Sequence, residues 1–359
     1  MNKKIGWGIA AVIVIIFVVW GFQQNLQPKS FKVGLISILS GDYAVVGESF
    51  KNGVVLAQET YNKNNPNSQV SIVIEDDGFN GGKGVSAYRK IVSVDKVDAL
   101  INASTPTIDS IYDLVTKTNL PVIQLGEQGR EPAVDNVFGI WPNSIASEYD
   151  YGVYMKNKGV KEMSIVYTNN DAMIRFVESF KKGFAGITHD FIIDSSEKDF
   201  RTHALKVSQG SPSNVGLFIF PQQGAQFMKE FLKVAKNKPQ FFFDASFQSG
   251  YSDYQRIMGD LTVLDGTLVG TSQFDTTEDF KKAYKERYGV DAPFLADIGY
   301  DAFNILVTAY ATDQKKWIEN IKNISLDGAT GKTEFDALGN RKPKTKIMVI
   351  SGGKISEMK

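Results

Sequence analysis

The strongest constraint on the fold is a regular alternation of two kinds of segment from residue 31 onward. Short apolar runs rich in β-branched residues predict buried strands, and segments with apolar residues at three- and four-residue spacing predict amphipathic helices. Strands are predicted at 32–38, 69–75, 98–101, 121–125, 163–167, 188–193, 215–220 and 240–243; helices are predicted at 43–62, 84–94, 106–118, 172–184, 200–207 and 222–235. Alternation of this kind indicates βαβ units and parallel sheets.

The alternation stops around residues 139–144 and then restarts, which divides the body into two halves. A chain of 359 residues is long enough for about two domains of 100–200 residues each. Its hydrophobic content of 43% and aromatic content of 12% are sufficient for two proper cores. The predicted fold class is therefore α/β, with two doubly wound, Rossmann-like lobes.

The N-terminal segment sets the compartment. Residues 5–22 carry no charge, Lys3 and Lys4 precede them, and the next charge is Lys29. Eighteen residues at about 1.5 Å rise span about 27 Å, close to the hydrocarbon thickness of a bilayer, and the basic flank predicts export of the remainder. A cleaved signal peptide is the alternative, but 19–21 (Val-Trp-Gly) is a poor small-x-small cleavage site. We expect an uncleaved transmembrane anchor and tether over 1–30.

Composition excludes several function classes. Because the chain contains no cysteine, it has no disulfide, thiolate metal site or cysteine nucleophile. It contains only two histidines, His189 and His203, which disfavours a histidine metal centre or a histidine catalytic base. Forty basic and forty acidic residues balance, which argues against a nucleic-acid partner. We expect no metal, no cofactor and no catalytic residue.

Two glycine-rich segments imitate phosphate-binding loops. In residues 78–84 the first glycine is one position too close to the lysine, and Gly84 replaces the required Ser or Thr. Residues 328–333 end in the Gly-Lys-Thr of the motif, but the position of its leading glycine is occupied by Leu326. Neither segment predicts a nucleotide site.

The most informative local motif is Asn102-Ala103-Ser104-Thr105-Pro106, between a predicted strand and a predicted helix. Thr105 is suited to the N-cap and Pro106 to the first helical position. Free N–H groups at this helix start, with the Ser104 and Thr105 hydroxyls, could bind an anion. Ordinary helix capping is an equally good explanation of the motif.

Taken in order, several segments resemble the type I periplasmic solute-binding proteins of the branched-chain amino acid class. They are 32–34, 39–44, Gly47, Gly53, 76–77, 87–92, 97–101, 121–123 and 299–302. The resemblance covers about residues 31–310. It implies two lobes joined by a three-crossing hinge, with a ligand held by both. The expected first lobe is 31–142 with 272–325, and the expected second lobe is 143–271 with 326–359.

The resemblance also implies the binding residues. In this class, hydroxyls at a first-lobe helix start hold the ligand carboxylate, and a second-lobe acid lies near the ammonium group. The matching positions are Ser40, Asp42, Tyr43, Asn102, Ser104, Thr105, Gly126, Glu127 and Gln128 from the first lobe, and Asn170, Asp171, Gln222 and Asp244 from the second. The chain departs from the class at Ala172-Met173, which replaces a frequent Tyr-Gly, and at the acidic Glu127. Glu127 and Asp244 together favour a cationic or zwitterionic ligand.

These observations favour an extracytoplasmic, monomeric solute-binding protein that delivers a small polar ligand to an ABC permease by hinge closure. A membrane-anchored sensor or envelope scaffold of the same fold, binding a partner protein, is the alternative. An exported hydrolase is a third class, for which the sequence offers no nucleophile–base set.

Overall fold

The computed structural model describes residues 30–126, 134–272 and 276–358. These residues divide into two compact units. Of the described residues, the first unit comprises those up to 141 together with 276–341, and the second comprises 142–272 together with 342–358. The chain therefore passes from one unit to the other three times.

The first unit is built from parallel strands and the helices that connect them. In chain order its elements are β1 (Phe31–Ser37), α1 (Ala44–Asn64), β2 (Val70–Asp76), α2 (Gly81–Lys90), β3 (Ala99–Asn102), α3 (Thr105–Val115), β4 (Val122–Gln124) and β5 (Val137–Pro142). A single π-helical turn, Ile91–Asp95, extends α2. These elements confirm the α/β alternation predicted from the sequence.

The second unit repeats the same plan. In chain order its elements are α4 (Ser144–Asn157), β6 (Glu162–Asn169), α5 (Asp171–Phe184), β7 (Ile187–Asp194), α6 (Arg201–Gln209), β8 (Asn214–Phe218), α7 (Pro221–Val234), β9 (Gln240–Phe243), α8 (Ser246–Ser249), α9 (Tyr251–Met258) and β10 (Leu268–Ser272). A 3₁₀ turn, Leu261–Leu264, precedes β10.

The chain then returns to the first unit and finally to the second. The returning elements are α10 (Glu278–Tyr288), α11 (Ala296–Ala309), α12 (Gln314–Lys322), β11 (Leu326–Gly328), β12 (Gly331–Thr333) and β13 (Asn340–Arg341), followed in the second unit by β14 (Thr345–Ser351) and β15 (Lys354–Glu357).

The two main sheets share one strand order in their parallel portions. The first sheet runs β13-β5-β4-β3-β1-β2, and the second runs β15-β14-β10-β9-β8-β6-β7. Within the second, β14 is antiparallel to β10 and β15 antiparallel to β14. In both sheets the first strand of the unit lies beside the second and third, so the direction of winding reverses there. That reversal is the topological switch point of a doubly wound sheet.

The sheet of the second unit is covered on both faces. On β9, Phe241 and Phe243 join the core that packs against α6, α7 and α9, whereas Phe242 joins the core formed with α4 and α5. Neighbouring side chains of a strand point to opposite faces, so this continuous apolar run fits a strand buried on both sides.

Paired glycines bring two helices together in each unit. In the first, a Cβ on Gly53 of α1 would lie 1.8 Å from the Ala296 carbonyl oxygen of α11, and one on Gly299 of α11 would lie 2.1 Å from the Phe50 carbonyl oxygen of α1. In the second, Gly152 of α4 and Gly183 of α5 make the same reciprocal approach. Any side chain at these positions would separate the helix backbones.

Residues 326–341 differ from the sequence-based assignment, which placed them in the second lobe. They lie in the first unit, where β13 pairs with β5. Buried Asp301 of α11 accepts hydrogen bonds from the backbone N–H groups of Ala329, at 2.6 Å, and Thr330, at 2.9 Å. Arg341, also buried, donates to the Thr330 hydroxyl at 2.8 Å. This polar network fastens the segment to α11.

The predicted anchor, residues 5–22, lies outside the described residues. Among the residues that the structure does describe, no helix is both long enough and apolar enough to cross a membrane.

Candidate functional site

The carboxyl ends of the parallel strands carry the candidate binding residues in both units. In the first unit, Ser40, Asp42 and Tyr43 follow β1, Asn102 ends β3, Ser104 and Thr105 begin α3, and Gly126 follows β4. In the second, Asn170 and Asp171 follow β6, Gln222 follows β8 and Asp244 follows β9. Open α/β sheets bind ligands at this edge, next to the switch point. Each sheet thus presents its own cluster of polar loops.

Ser104 is the central polar residue of the first cluster. It is 1% exposed, it is the N-cap residue of α3, and its side chain makes no capping hydrogen bond. Its hydroxyl oxygen has no partner among the described residues. The capping prediction was therefore wrong by one position, since Thr105 is the first helical residue and Pro106 the second. Thr105 is exposed.

Asn102 lies directly beneath this helix start. It is 1% exposed, and its side-chain amide donates to the Ser104 carbonyl at 2.8 Å. Its side-chain oxygen Oδ1 is buried and has no partner in the described part of the chain. Unpartnered buried polar atoms are rare because each one costs about 1–3 kcal/mol. Two of them, from Asn102 and Ser104, lie two residues apart at the switch point of the sheet.

A hydrogen bond fixes the first turn of α3. Buried Thr107 donates from its hydroxyl to the buried carboxylate of Asp77, in the loop after β2. Asp77 also accepts from the Phe79 backbone N–H at 3.0 Å. The turn that carries Ser104 is therefore held by the adjacent loop whether or not a ligand is present.

Ser40 lies in the loop after β1 and hydrogen-bonds to the end of the neighbouring strand β2. Its hydroxyl, with the backbone N–H groups of Leu39 and Gly78, donates to Asp76. Burial acts to raise the pKa of Asp76, but these hydrogen bonds and the nearby charge of Lys83 together outweigh burial and hold the pKa below its usual value. Ser40 is therefore engaged in ordering two strand-end loops.

An exposed aromatic pair borders the same loops. Tyr43 is 54% exposed and contacts Phe79, which is 42% exposed, with ring centroids 4.8 Å apart. Asp42 is exposed beside Tyr43. Such a pair offers apolar and aromatic contact area at the edge of the first cluster.

After β4, Gly126 is half-buried, and a Cβ at this position would meet no atom within 4 Å. The neighbouring candidates Glu127 and Gln128 lie outside the described residues.

In the second unit, Asn170 serves as a helix cap and Gln222 is exposed to solvent. Asn170 caps α5, because its side-chain oxygen accepts from the Ala172 N–H at 3.0 Å, and Asp171 is exposed in the first turn. Gln222 is exposed, whereas buried Gln223 donates to three carbonyl groups of the loop after β7, at 3.1 to 3.4 Å. Gln223 therefore links the first turn of α7 to the loop after β7.

Asp244 is the buried acid of the second cluster. It is 2% exposed and accepts a hydrogen bond from the Ser246 hydroxyl. Burial raises the pKa of Asp244 to about 7, against the opposing effect of the hydrogen bonds from Ser246. Asp244 therefore titrates near neutral pH.

A second buried acid, Glu148, was missed by the sequence analysis. It lies in the second turn of α4 and is 2% exposed. Burial first, and the neighbouring charge of Asp244 second, raise the pKa of Glu148 well above its usual value. The sequence contains one signal: Glu148 falls on the helix face shared by the buried Tyr151 and Met155, where an acid is unexpected.

The histidines take no part in either cluster. His189 of β7 contacts Glu162 at 2.6 Å on the surface, and His203 of α6 contacts Glu197 at 3.3 Å. Within the described ranges, no group of three or more histidine or carboxylate side chains is placed to hold a metal ion.

Comparisons with known proteins agree with this architecture. A family profile described as periplasmic binding protein matches residues 30–351. Comparison with curated protein sequences finds no significant match.

Three solved structures illustrate the likeness. A Rhodospirillum rubrum protein described as a branched-chain amino acid ABC transporter has 16% identity, covers 92% of this chain and 100% of its own, and gives a TM-score of 0.79. The branched-chain amino acid substrate-binding protein of Streptococcus pneumoniae, in complex with isoleucine, has 18% identity, coverage of 91% and 98%, and a TM-score of 0.64. A solute-binding protein from R. palustris, in complex with benzoate, has 20% identity, coverage of 92% and 96%, and a TM-score of 0.61.

At these identities the solved structures establish the fold, and the family profile extends over nearly all of the described chain. The chain belongs to the periplasmic binding protein family.

Proposed function

We propose that the protein is an extracytoplasmic solute-binding protein that captures a small, amino-acid-like ligand for an ABC importer. The ligand's acidic end binds at the start of α3, and its basic end binds at Asp244. The observation that carries the proposal is the buried, unpartnered hydroxyl of Ser104 at the switch point of the first sheet. A ligand oxygen there would supply the missing partner.

The chemistry of the helix start supports an anionic group at this position. The N-terminal end of a helix carries a partial positive charge, and its first N–H groups have no partner within the helix. A carboxylate placed there accepts hydrogen bonds from backbone and hydroxyl donors together. Because Asp77 and Thr107 already fix the turn, these donors need little reordering on binding.

The chemistry of the second cluster supports a positively charged group. Asp244 is buried, and the hydrogen-bond donors described for it, from Ser246 and its own backbone, are neutral. A buried carboxylate without a countercharge is costly, and an ammonium group would relieve that cost. Ligands held by both clusters would favour a closed arrangement by differential affinity, which is the mechanism we propose for signalling occupancy to the permease.

For the N-terminal segment we propose an uncleaved membrane anchor over residues 5–22. The supporting observation is the length of this uncharged segment together with the poor cleavage site at 19–21, near its end. An anchored binding protein would remain next to its permease without being lost by diffusion.

A sensor or scaffold that binds a partner protein is the second candidate, favoured by the exposed apolar side chains near β1. Tyr43, Val45 and Phe79 are 54%, 79% and 42% exposed. Grouped exposed apolar residues often mark interaction surfaces. Co-purification distinguishes the two roles: an ABC permease retained from native membranes supports transport, whereas retention of a different partner that is lost on Tyr43→Ser supports the scaffold.

The proposed function is tested by a ligand-retention screen. The full chain is purified in detergent, incubated with a metabolite extract, desalted, denatured and examined by mass spectrometry. We expect one enriched small polar compound that carries both a carboxylate and an amine. Recovery of no compound above a denatured-protein control would contradict solute binding.

A further inference from the structure

Glu148 is a buried acid of the second unit, and one of its two carboxylate oxygens is unpartnered among the described residues. Its side-chain oxygen Oε2 is inaccessible to solvent and has no hydrogen-bond partner in the described part of the chain. It lies on the inner face of α4 with Ser147 and Tyr151. A buried carboxylate oxygen left unpaired is costly, and a hydrogen-bond donor from a ligand would relieve that cost.

Asp244 comes close enough to Glu148 for the two charges to interact. Both residues are 2% exposed, and Asp244 follows β9 at the same edge of the sheet from which the candidate loops extend. Tyr254 of α9 lies near Asp244, and its pKa is raised by burial and by the charge of Asp244. Among the described residues no basic side chain forms an ion pair with either acid.

Two carboxylates in such surroundings cannot both be ionised near neutral pH. Burial and mutual repulsion both favour the protonated form, so the pair keeps one proton and titrates as a unit. A cation brought between them would reverse this preference, because it stabilises the doubly ionised pair.

We propose that Glu148 is a second recognition carboxylate of the binding site: with Asp244 it binds a positively charged nitrogen of the ligand and releases the shared proton to solvent. This inference rests on the proposed function. The balance is simple: the singly protonated pair and an ammonium ion give an ion pair of two carboxylates with one ammonium, plus one free proton. The second carboxylate would thus exclude ligands that carry only negative charge.

The first test needs no ligand. In the unfolded chain both acids ionise near pH 4, whereas the folded pair retains a proton at higher pH. Between about pH 5 and 7 the unfolding equilibrium constant of the wild type should therefore rise with pH. Per pH unit, this rise should exceed the rise for Glu148→Gln by a factor of up to about ten. Glu178→Gln, an exposed acid on the neighbouring α5, is the matched control and should follow the wild type. Equal pH slopes for the wild type and Glu148→Gln would overturn the inference that the two acids share a proton. The Asp244→Asn variant applies the same test to the other acid of the pair.

The second test uses three probes that share one branched alkyl chain: L-leucine, 3-methylbutylamine and 4-methylpentanoate. Leucine and the amine should raise the melting temperature of the full chain, and the acid should not. Calorimetry of leucine binding in two buffers of different ionisation heat should show release of up to about one proton by the wild type and less than half of that by Glu148→Gln.

The outcomes separate this inference from the proposed function. If 4-methylpentanoate binds as well as the amine, solute binding stands and the role of Glu148 is overturned. If none of the three binds while the pH slopes differ, Glu148 holds a proton for the fold and its role in recognition is overturned. Failure of the ligand-retention screen counts against the proposed function, whereas the pH slopes and the three probes test Glu148 independently of that screen.

Discussion

Replacing Ser104 with alanine tests the binding role of the first cluster with little risk to the fold. The hydroxyl is buried, makes no capping hydrogen bond and has no described partner, so the free protein loses nothing that holds α3. In the complex we expect the hydroxyl to donate to a ligand carboxylate. A hydrogen bond to a charged group contributes about 1.5–3 kcal/mol, and about 1.4 kcal/mol corresponds to a tenfold change in Kd. Ser104→Ala should therefore weaken binding by about 10- to 150-fold.

The assay is calorimetric titration of the retained ligand, with thermal unfolding of each free protein beside it. Ser110→Ala is the matched control: Ser110 lies on the same helix, is exposed, and donates to the Pro106 carbonyl at 2.8 Å. Its Kd should equal that of the wild type. The free energy of unfolding of Ser104→Ala should change by less than about 1 kcal/mol, since removing an unpaired buried hydroxyl is nearly neutral. An unchanged Kd for folded Ser104→Ala would refute the argument.

Three further predictions concern the cap, the packing and the membrane. Thr105→Ala should leave the free energy of unfolding within about 0.5 kcal/mol, because exposed Thr105 is not the cap; urea unfolding checks this, and a loss above about 1 kcal/mol would contradict it. Gly53→Ala should destabilise by about 1–3 kcal/mol in the same assay, because its Cβ would meet the Ala296 carbonyl, and Gly210→Ala, whose Cβ meets nothing closer than 3.9 Å, is the control. Residues 5–22 should remain on the mature protein, so intact mass should match the full chain, and alkaline extraction should leave it in the membrane fraction; a soluble product beginning near residue 22 would contradict the anchor.

The alternation of strands and helices could be predicted because it depends on local patterns. Buried parallel strands need continuous apolar runs, and their covering helices need apolar residues at helical spacing, so both signals recur between residues 32 and 243. The helix at Ser144–Asn157 and the helices after residue 243 were not predicted. The predicted strand at 240–243 agrees with β9, and the predicted helix at 43–62 differs from α1 by one residue at its start and two at its end. Helix ends vary by this much because the last turn depends on capping contacts.

The position of residues 326–341 could not be predicted in this way. The segment has short strands and a glycine-rich turn, which carry little periodicity. Its placement involves the pairing of β13 with β5 and the buried carboxylate of Asp301, which accepts from the backbone N–H groups of Ala329 and Thr330. Contacts between a side chain and a distant backbone leave no pattern in the sequence.

In the candidate sites, too, some features follow from local sequence patterns and others depend on the folded backbone. The strand-end loops follow from the βαβ order, and the family resemblance indicates which of them to examine. The choice between Ser104 and Thr105 as the cap residue depends on one turn of backbone geometry, because both residue types suit that position. Glu148 was missed because it lies within a helix, away from the loops, although its place on a buried face marks it in retrospect.

The most direct test of solute binding at these loops is titration of the retained ligand into the wild type and into the Ser104→Ala/Asp244→Asn double variant. The wild type should bind one ligand per chain and become more compact at saturation, with a smaller radius of gyration by small-angle X-ray scattering. The folded double variant should bind at least about 100-fold more weakly, since it loses a charged-group hydrogen bond at each end of the ligand. Equal affinity for both proteins, with an unchanged radius of gyration at saturation, would contradict the account.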